Sequence, residues 1–325
     1  MTALSLFDVP KIPVGDALQD FFDWLTTHMG GFFDTVSNVI GSVVDGFISV
    51  LEAPDPVVLA LIFALIGMLF KGWKFAVVAF LGLLFIISMD QWAAAMQTLA
   101  LVLVATLVAI VIAIPTGVLA ARKPWASAAL RPIMDLMQTM PAFVWLVPVV
   151  TLFSIGVVPG VVATIIFALP PGVRLTELGI RNVDAEVVEA ANAFGSTPRQ
   201  TLLGVQLPLA LPTIMAGVNQ VIMLSLSMAV ISGLVGAEGL GGQVTTAIST
   251  LDLGLGFEAG LSVVILAIYL DRVTASVGQG RSGGRRGFRL RKPRPSAPEV
   301  DDSTLDGGET ESPAVAEIGA SKIGG

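Results

Sequence analysis

Asn182-Val183-Asp184-Ala185-Glu186-Val187-Val188-Glu189-Ala190-Ala191-Asn192-Ala193-Phe194-Gly195-Ser196-Thr197-Pro198 is a polar stretch set between long apolar runs. It reads as two helices joined at a glycine. Asp184 can cap a short helix, Glu186 suits its positive end, and Gly195 can close it in the left-handed conformation. Val187, Ala190, Ala191 and Phe194 fall on one face at helical spacing. Thr197 followed by Pro198 then caps and starts a second helix toward Leu207-Pro208. A short helix with an apolar face and small alanines fits a groove of another protein, where it could transmit rigid-body motion; it could equally pack beneath its own bundle.

What surrounds this stretch is too apolar for a soluble domain. Of 325 residues, 54% are hydrophobic and 13% charged, so the bilayer is the expected solvent. Apolar runs at about residues 56 to 70, 75 to 88, 93 to 121, 142 to 157, 158 to 173, 209 to 235 and 257 to 270 give a polytopic all-α bundle of about seven spans. The first two, read as one helix, would reach roughly 50 Å, beyond a hydrocarbon core of about 30 Å. Lys71-Gly72-Trp73-Lys74 is therefore expected to turn a hairpin. Arg and Lys crowd alternate loops: Lys71 and Lys74, then Arg122, Lys123 and Arg131, then Arg174, Arg181 and Arg199, then Arg272 and a block from Arg281 to Arg294. The other side carries only Lys11. The positive-inside rule then puts the N-terminus outside and the C-terminus in the cytoplasm, which requires an odd number of spans.

Four regions follow from this reading. Residues 1–54 form an extracytoplasmic leader whose apolar clusters alternate with Asp20, Asp23, Asp34 and Asp45, either an amphipathic helix on the outer surface or a loosely ordered acidic segment. It lacks the basic start and apolar run of a secretory signal. Residues 55–90 are the hairpin, 91–273 the core with the loop at 180–207, and 274–325 a tail expected to be disordered. The tail's basic block could meet anionic lipid or serve only as a topology signal.

Composition removes most chemistry. There is no cysteine and one histidine, His28, so no metal site and no catalytic residue are expected. The glycine pattern at Gly278 to Gly283 sits in a polar tail, where a dinucleotide fingerprint has no meaning, and no lysine follows a glycine, so no Walker loop can form. No nucleic-acid partner is expected. The spans place almost no charge at mid-depth, where an ion-coupled carrier would hold its driving ion.

Glu189-Ala190-Ala191, then Gly195, then Leu207-Pro208 resembles the EAA loop of permease subunits of ATP-binding-cassette importers. Gly236-Ala237-Glu238-Gly239-Leu240-Gly241-Gly242, with Leu251 to Gly260 and Ile265 to Arg272, resembles the C-terminal half of glycine betaine and proline betaine permeases. The resemblance covers roughly residues 90 to 277. It implies the type I importer transmembrane fold, in a bacterial inner membrane, importing glycine betaine or a related osmoprotectant such as choline, carnitine or proline. It also implies an ATPase subunit docked on residues 186 to 198, an extracytoplasmic binding protein and a second permease copy. In that pattern Glu189 orients the loop and Gly195 permits its turn. No cofactor is implied on this chain itself, ATP and magnesium being held by the partner.

The pathway is less legible. Asn219 and Gln220 are amides within a span, so at least one should face the cavity or another helix. Ser225 and Ser227 are weaker candidates, and the small residues Ala216, Gly217, Ala229, Ser232 and Gly233 of the same span suit contact across a dimer. Phe143 and Trp145 could hold a quaternary ammonium by cation–π attraction or could simply pack. Trp73, Trp92 and Trp125 sit at expected span ends, where an interfacial belt accounts for them. The competing function is a secondary carrier or an osmotically gated channel, which would need no ATPase.

Overall fold

The computed structural model describes residues 13–279, and these are helical almost throughout. Lys11, the arginine block and the acidic stretch beyond it lie outside the described residues. In chain order the helices are α1 (Val14–Glu52), α2 (Pro56–Lys71), α3 (Trp73–Ser88), α4 (Trp92–Arg122), α5 (Pro124–Thr139), α6 (Leu146–Phe153), α7 (Val157–Arg181), α8 (Ala185–Ala193), α9 (Pro198–Thr201), α10 (Leu207–Ile231), α11 (Leu240–Thr250) and α12 (Leu253–Gln279). A 3-10 turn, Ala142–Trp145, leads into α6 and another, Ser232–Val235, follows α10. Among the described residues five helical elements are long and apolar enough to cross a membrane, namely α1, α4, α7, Pro198–Val235 and α12, and six crossings result if α5 and α6 count as one bent span; α2 and α3 are apolar but shorter.

Local signals explain most of the boundaries. Asp55 caps α2, its carboxylate accepting the Val57 N–H at 2.9 Å. Gly72, at φ +88°, turns α2 back into α3, so the hairpin falls at Lys71–Lys74 as its sequence requires. Each arm has 16 residues, about 24 Å of helix, less than a hydrocarbon core. The expected straight span at 142 to 157 is not found. Met140 is extended before Pro141, and α5 meets the segment Ala142–Phe153 at 107°. Ser154 and Gly156, both at positive φ, then end α6 and start α7. The boundary expected near residue 274 also moves, because α12 continues to Gln279, with Thr274 bonded across to Asn219 at 2.7 Å.

The centre of the bundle is α4, α7 and α10. A Cβ on Gly117 of α4 would lie 2.6 Å from Thr176 Cβ and 2.7 Å from the Val173 carbonyl of α7. A Cβ on Gly172 would lie 2.8 Å from Ala113 Cβ and 3.0 Å from Val221 of α10. The helix axes can approach this closely only because these positions lack side chains. The small residues of α10 and of the 3-10 turn after it serve the same packing: Gly217, Ser225, Ala229, Ser232 and Gly233 are all buried within the chain, and of the set only Ala216 and Ser227 are exposed.

Around this centre, α12 packs on the hairpin through Tyr269, whose hydroxyl donates to the Phe63 carbonyl at 2.9 Å and whose ring stacks with Phe75. The helix α1 is one continuous element of 39 residues. Phe33 meets Phe153 at the end of α6 and Gly41 meets Val158 at the start of α7, so α1 crosses the end of the bundle where those two helices join. Trp73 and Trp125 are exposed at helix starts, but Trp92 is 8% exposed and belongs to the core, so the belt reading does not hold for it.

Gly117→Ala is expected to destabilise the chain by about 1 to 3 kcal/mol, because the contact on one side is backbone and cannot yield. Gly46→Ala on α1, where nothing lies within 4 Å and the backbone is helical, should leave the melting temperature in detergent unchanged or raise it slightly. Equal melting temperatures for the two variants would refute the close approach.

Candidate functional site

Between α7 and α10 the chain builds a rigid projection. Asp184 Oδ1 accepts the Glu186 N–H at 3.0 Å and caps α8. At the other end the Ser196 N–H reaches the Ala191 carbonyl at 3.1 Å and the Gly195 N–H the Asn192 carbonyl at 2.9 Å. These two bonds are a Schellman closure, and they require the left-handed φ of +83° at Gly195. Thr197 and Gln200 form a reciprocal capping box that opens α9, with Pro198 in its first turn. The Thr201 hydroxyl donates back to Asn192 Oδ1 at 3.2 Å, tying α9 to α8. Both ends of α8 and the start of α9 carry cap bonds, so the loop has a definite shape.

From α9 the helix runs on without a break. Residues Leu202–Gln206 form a π turn in which the Leu207 N–H donates to the Leu202 carbonyl. Pro208 follows immediately and cannot donate at all. The widened turn absorbs that missing donor and passes the chain into α10, so Pro198–Val235 is one helical element of 38 residues. Leu207-Pro208 thus marks the entry into the bundle.

No side chain of α8 is buried. Val187, Ala190 and Phe194 point away from the protein, Phe194 being 91% exposed. The apolar face differs in one place from the sequence reading: Ala191 is half-buried, with Val188, against the chain's own side. Glu189 lines a cleft of about 380 Å³ with Arg122, Arg181 and Gln206.

Beside this cleft lies a polar network that the spacing of single residues did not reveal. Arg174 of α7 pairs with Asp135 of α5. Glu177 accepts from the Ser127 hydroxyl at 2.7 Å and pairs with Arg181 at 2.9 Å, and Arg181 also donates to the Ala120 carbonyl of α4 at 3.0 Å. Arg174, Glu177 and Arg181 recur at helical spacing, and that periodicity at the end of an apolar run was the available signal. The network joins α4, α5 and α7 directly under the projecting loop.

The candidate pathway residues separate into two groups. Asn219 is occupied between helices, its amide donating to Asp271 Oδ1 of α12 at 2.9 Å and its carbonyl accepting from Thr274. Ser225 is fully buried with no partner for its hydroxyl. Gln220 and Ser227 instead lie on an exposed stripe of α10 with Ala216 and Met223. Phe143 is exposed, while Trp145 is half-buried with its indole nitrogen sealed from solvent. The structure brings these two no closer to one another than their shared 3-10 turn.

The description "Binding-protein-dependent transport system inner membrane component" matches residues 113–280. The glycine betaine transport system permease protein OpuAB of Bacillus subtilis is 47% identical over 83% of this chain and 95% of its own length. The glycine betaine/carnitine transport permease protein GbuB of Listeria monocytogenes is 48% identical over 82% of this chain and 96% of its own. Among solved structures, an inward-facing form of the MetNI methionine ABC transporter superposes with a TM-score of 0.52 at 23% identity, over 56% of this chain and 92% of that one, which establishes the shared fold. The chain is a multi-pass membrane protein with the ABC importer permease fold, and it belongs to the family of binding-protein-dependent transport system inner membrane components.

Proposed function

We propose that this chain is the translocating subunit of an ATP-driven importer of glycine betaine or a related quaternary ammonium solute. The observation that carries the reading is the α8 projection: an exposed helix with an apolar outer face, locked by its caps to one helical element that enters the bundle. Such an element moves as a unit when a partner moves it. The substrate class rests on the names of the relatives, which specify glycine betaine in both cases. No feature of the chain favours the carrier or channel reading.

In this scheme the ATPase subunit seats on Val187, Ala190 and Phe194, and ATP with magnesium is bound there and not on this chain. Glu189, which lines a cleft with Arg122 and Arg181, is the acidic residue beside that contact. The binding protein delivers solute at the opposite end of the bundle. With α2, α3, α4, the bent α5–α6 pair, α7, α10 and α12 as crossings there are seven, and α1 lies on the outer surface of the plasma membrane. The N-terminus is then outside and the C-terminus cytoplasmic, which puts α8 on the arginine-rich side.

A second copy completes the pathway. Gln220 lies about 20 Å along α10 from Leu207, and an amide at that depth is costly against lipid. Two chains that face each other through the stripe Ala216, Gln220, Met223 and Ser227 would give these polar groups a shared aqueous passage. Because the chain lacks cysteine, Gln220→Cys is expected to cross-link into a dimer in native membranes with a short bifunctional thiol reagent. Asn219→Cys, one residue earlier but turned to α12, should not. Equal cross-linking of both, or of neither, would remove the stripe from the interface.

Two substitutions test the projection. Glu189→Lys places a third cation beside Arg122 and Arg181, and uptake of glycine betaine should be abolished with membrane insertion intact; normal uptake would exclude a coupling role. Gly195→Val forces a β-branched residue into left-handed backbone at roughly 1 to 2 kcal/mol, whereas Asn tolerates that conformation. Transport in proteoliposomes should therefore collapse with Gly195→Val and survive largely with Gly195→Asn.

A further inference from the structure

At the end of the bundle away from α8, the turn between α10 and α11 shapes a cleft of about 580 Å³, within the range of small-molecule sites. Its walls are Gln97 of α4, the turn from Gly236 to Gly239 with Glu238 exposed in it, and Gln243, Thr245 and Thr246 of α11.

The walls are fixed. The Thr98 hydroxyl accepts the Leu240 N–H at 2.8 Å while donating to the Ala94 carbonyl at 2.9 Å, pinning the start of α11 to α4. Gly239, at φ +94°, sits so close that a Cβ there would lie 3.0 Å from that same carbonyl. Gly233 lies directly against the backbone of Gly241. No side chain could be added at either place without moving the turn away from α4 or α10.

The chemistry of the lining is one-sided. Thr245 donates its hydroxyl proton to the Gly241 carbonyl and Thr246 to the Gly242 carbonyl, each at 3.0 Å. Both hydroxyls therefore present lone pairs to the cleft. Glu238 adds a carboxylate that takes part in none of the ion pairs among the described residues, and no Lys, Arg or His lines the space. The two glutamine amides can turn either pole inward. A group that carries positive charge and has no proton to donate is favoured here by the field alone.

We infer that this cleft is the entry station for the cationic group of the transported solute, with Glu238 as its counter-charge. The inference rests on the quaternary ammonium reading above, but the charge preference of the cleft can be measured without transport. Thr246→Cys introduces a single thiol into the full-length chain, purified in lipid nanodiscs. Its rate of modification is compared for the trimethylammonium thiosulfonate MTSET and the anionic MTSES, with Glu238 present and in Glu238→Gln. One charge at about 6 Å in a water-like medium changes the cation-to-anion rate ratio about tenfold. The ratio is expected to fall by about that factor in Glu238→Gln, and glycine betaine or choline should slow modification by MTSET.

Gln97→Cys, on a different helix, repeats the measurement should Thr246→Cys fail to fold. A ratio unchanged by Glu238→Gln at both reporters overturns the inference. So does an unchanged ratio with weakened attachment of the binding protein, which would make Glu238 a docking residue. A shifted ratio with protection by cationic solutes, in a protein whose complete complex imports no glycine betaine, would keep the cleft and overturn the substrate reading instead.

Discussion

The close approach of α7 to α4 on one side and α10 on the other is the contact from which the rest of this structure follows. In lipid there is no hydrophobic gain from pressing one apolar helix on another, so the bundle must be held by surface fit and interhelical bonds. Gly117, Gly172 and Gly217 supply the fit by removing side chains where the helices meet. Because the C-terminal end of α7 and the helix that becomes α10 flank the α8 loop, the same packing fixes both roots of the projection. Arg174 with Asp135 and Glu177 with Ser127 then hold α5, and Arg181 on the Ala120 carbonyl holds α4, to that end of α7.

Much of the loop was legible because its signals are local. Asp184, Gly195, Thr197 and Pro198 each act through backbone groups within a few residues, and the observed caps and Schellman closure use the expected residues. The hairpin at Gly72 was legible for the same reason. The misreadings arose where the outcome depends on distant chain. Trp92 reads as an interfacial residue from its place at a helix start, but the neighbours that bury it come from elsewhere in the fold. The amides of Asn219 and Gln220 are adjacent and chemically alike, and only the position of α12 decides that one is bonded and the other exposed. The break between α5 and α6 had its signal in Pro141, which a hydropathy count overlooks. Likewise Ala191 differs from Ala190 only in facing inward, which helical spacing alone places too coarsely to decide.

The prolines of this protein illustrate how an apolar solvent shapes a helix. Pro115, Pro170, Pro171 and Pro212 lie inside helices that continue through them. Each removes a donor, which in hydrocarbon would leave a carbonyl unsatisfied unless the backbone or a neighbour compensates. Pro170 and Pro171 are buried at the level of Gly172, where α7 is pressed against both neighbours. Pro208 is met differently, by the π turn that precedes it. A straight α-helix through that point would have left the loop end of the element underbonded. The bulge keeps Pro198–Val235 continuous and so preserves it as a mechanical connection.

That continuity links the two ends of the molecule. Thirty-eight residues of helix span roughly 57 Å, from the capping box at Thr197 beside α8 to the glycine turn that forms a wall of the outer cleft. A displacement of α8 is delivered to α9 through the Thr201–Asn192 bond and the tight turn at Gly195. It can be absorbed along the way only at the π turn or at the final 3-10 turn, Ser232–Val235. The latter is clamped, since Ser232 is buried against Gly160 and Gly233 against Gly241. Motion imposed at the loop would therefore be passed along α10 as rotation or tilt of a whole helix. Because Gly239 and Leu240 are seated on Ala94 and Thr98 of α4, the turn that carries Glu238 stays beside Gln97, and the 3-10 turn Ser232–Val235 joins it to α10. The cleft and the α8 loop thus lie at the two ends of one helical element, which is packed along its length against the glycines and small residues of α7.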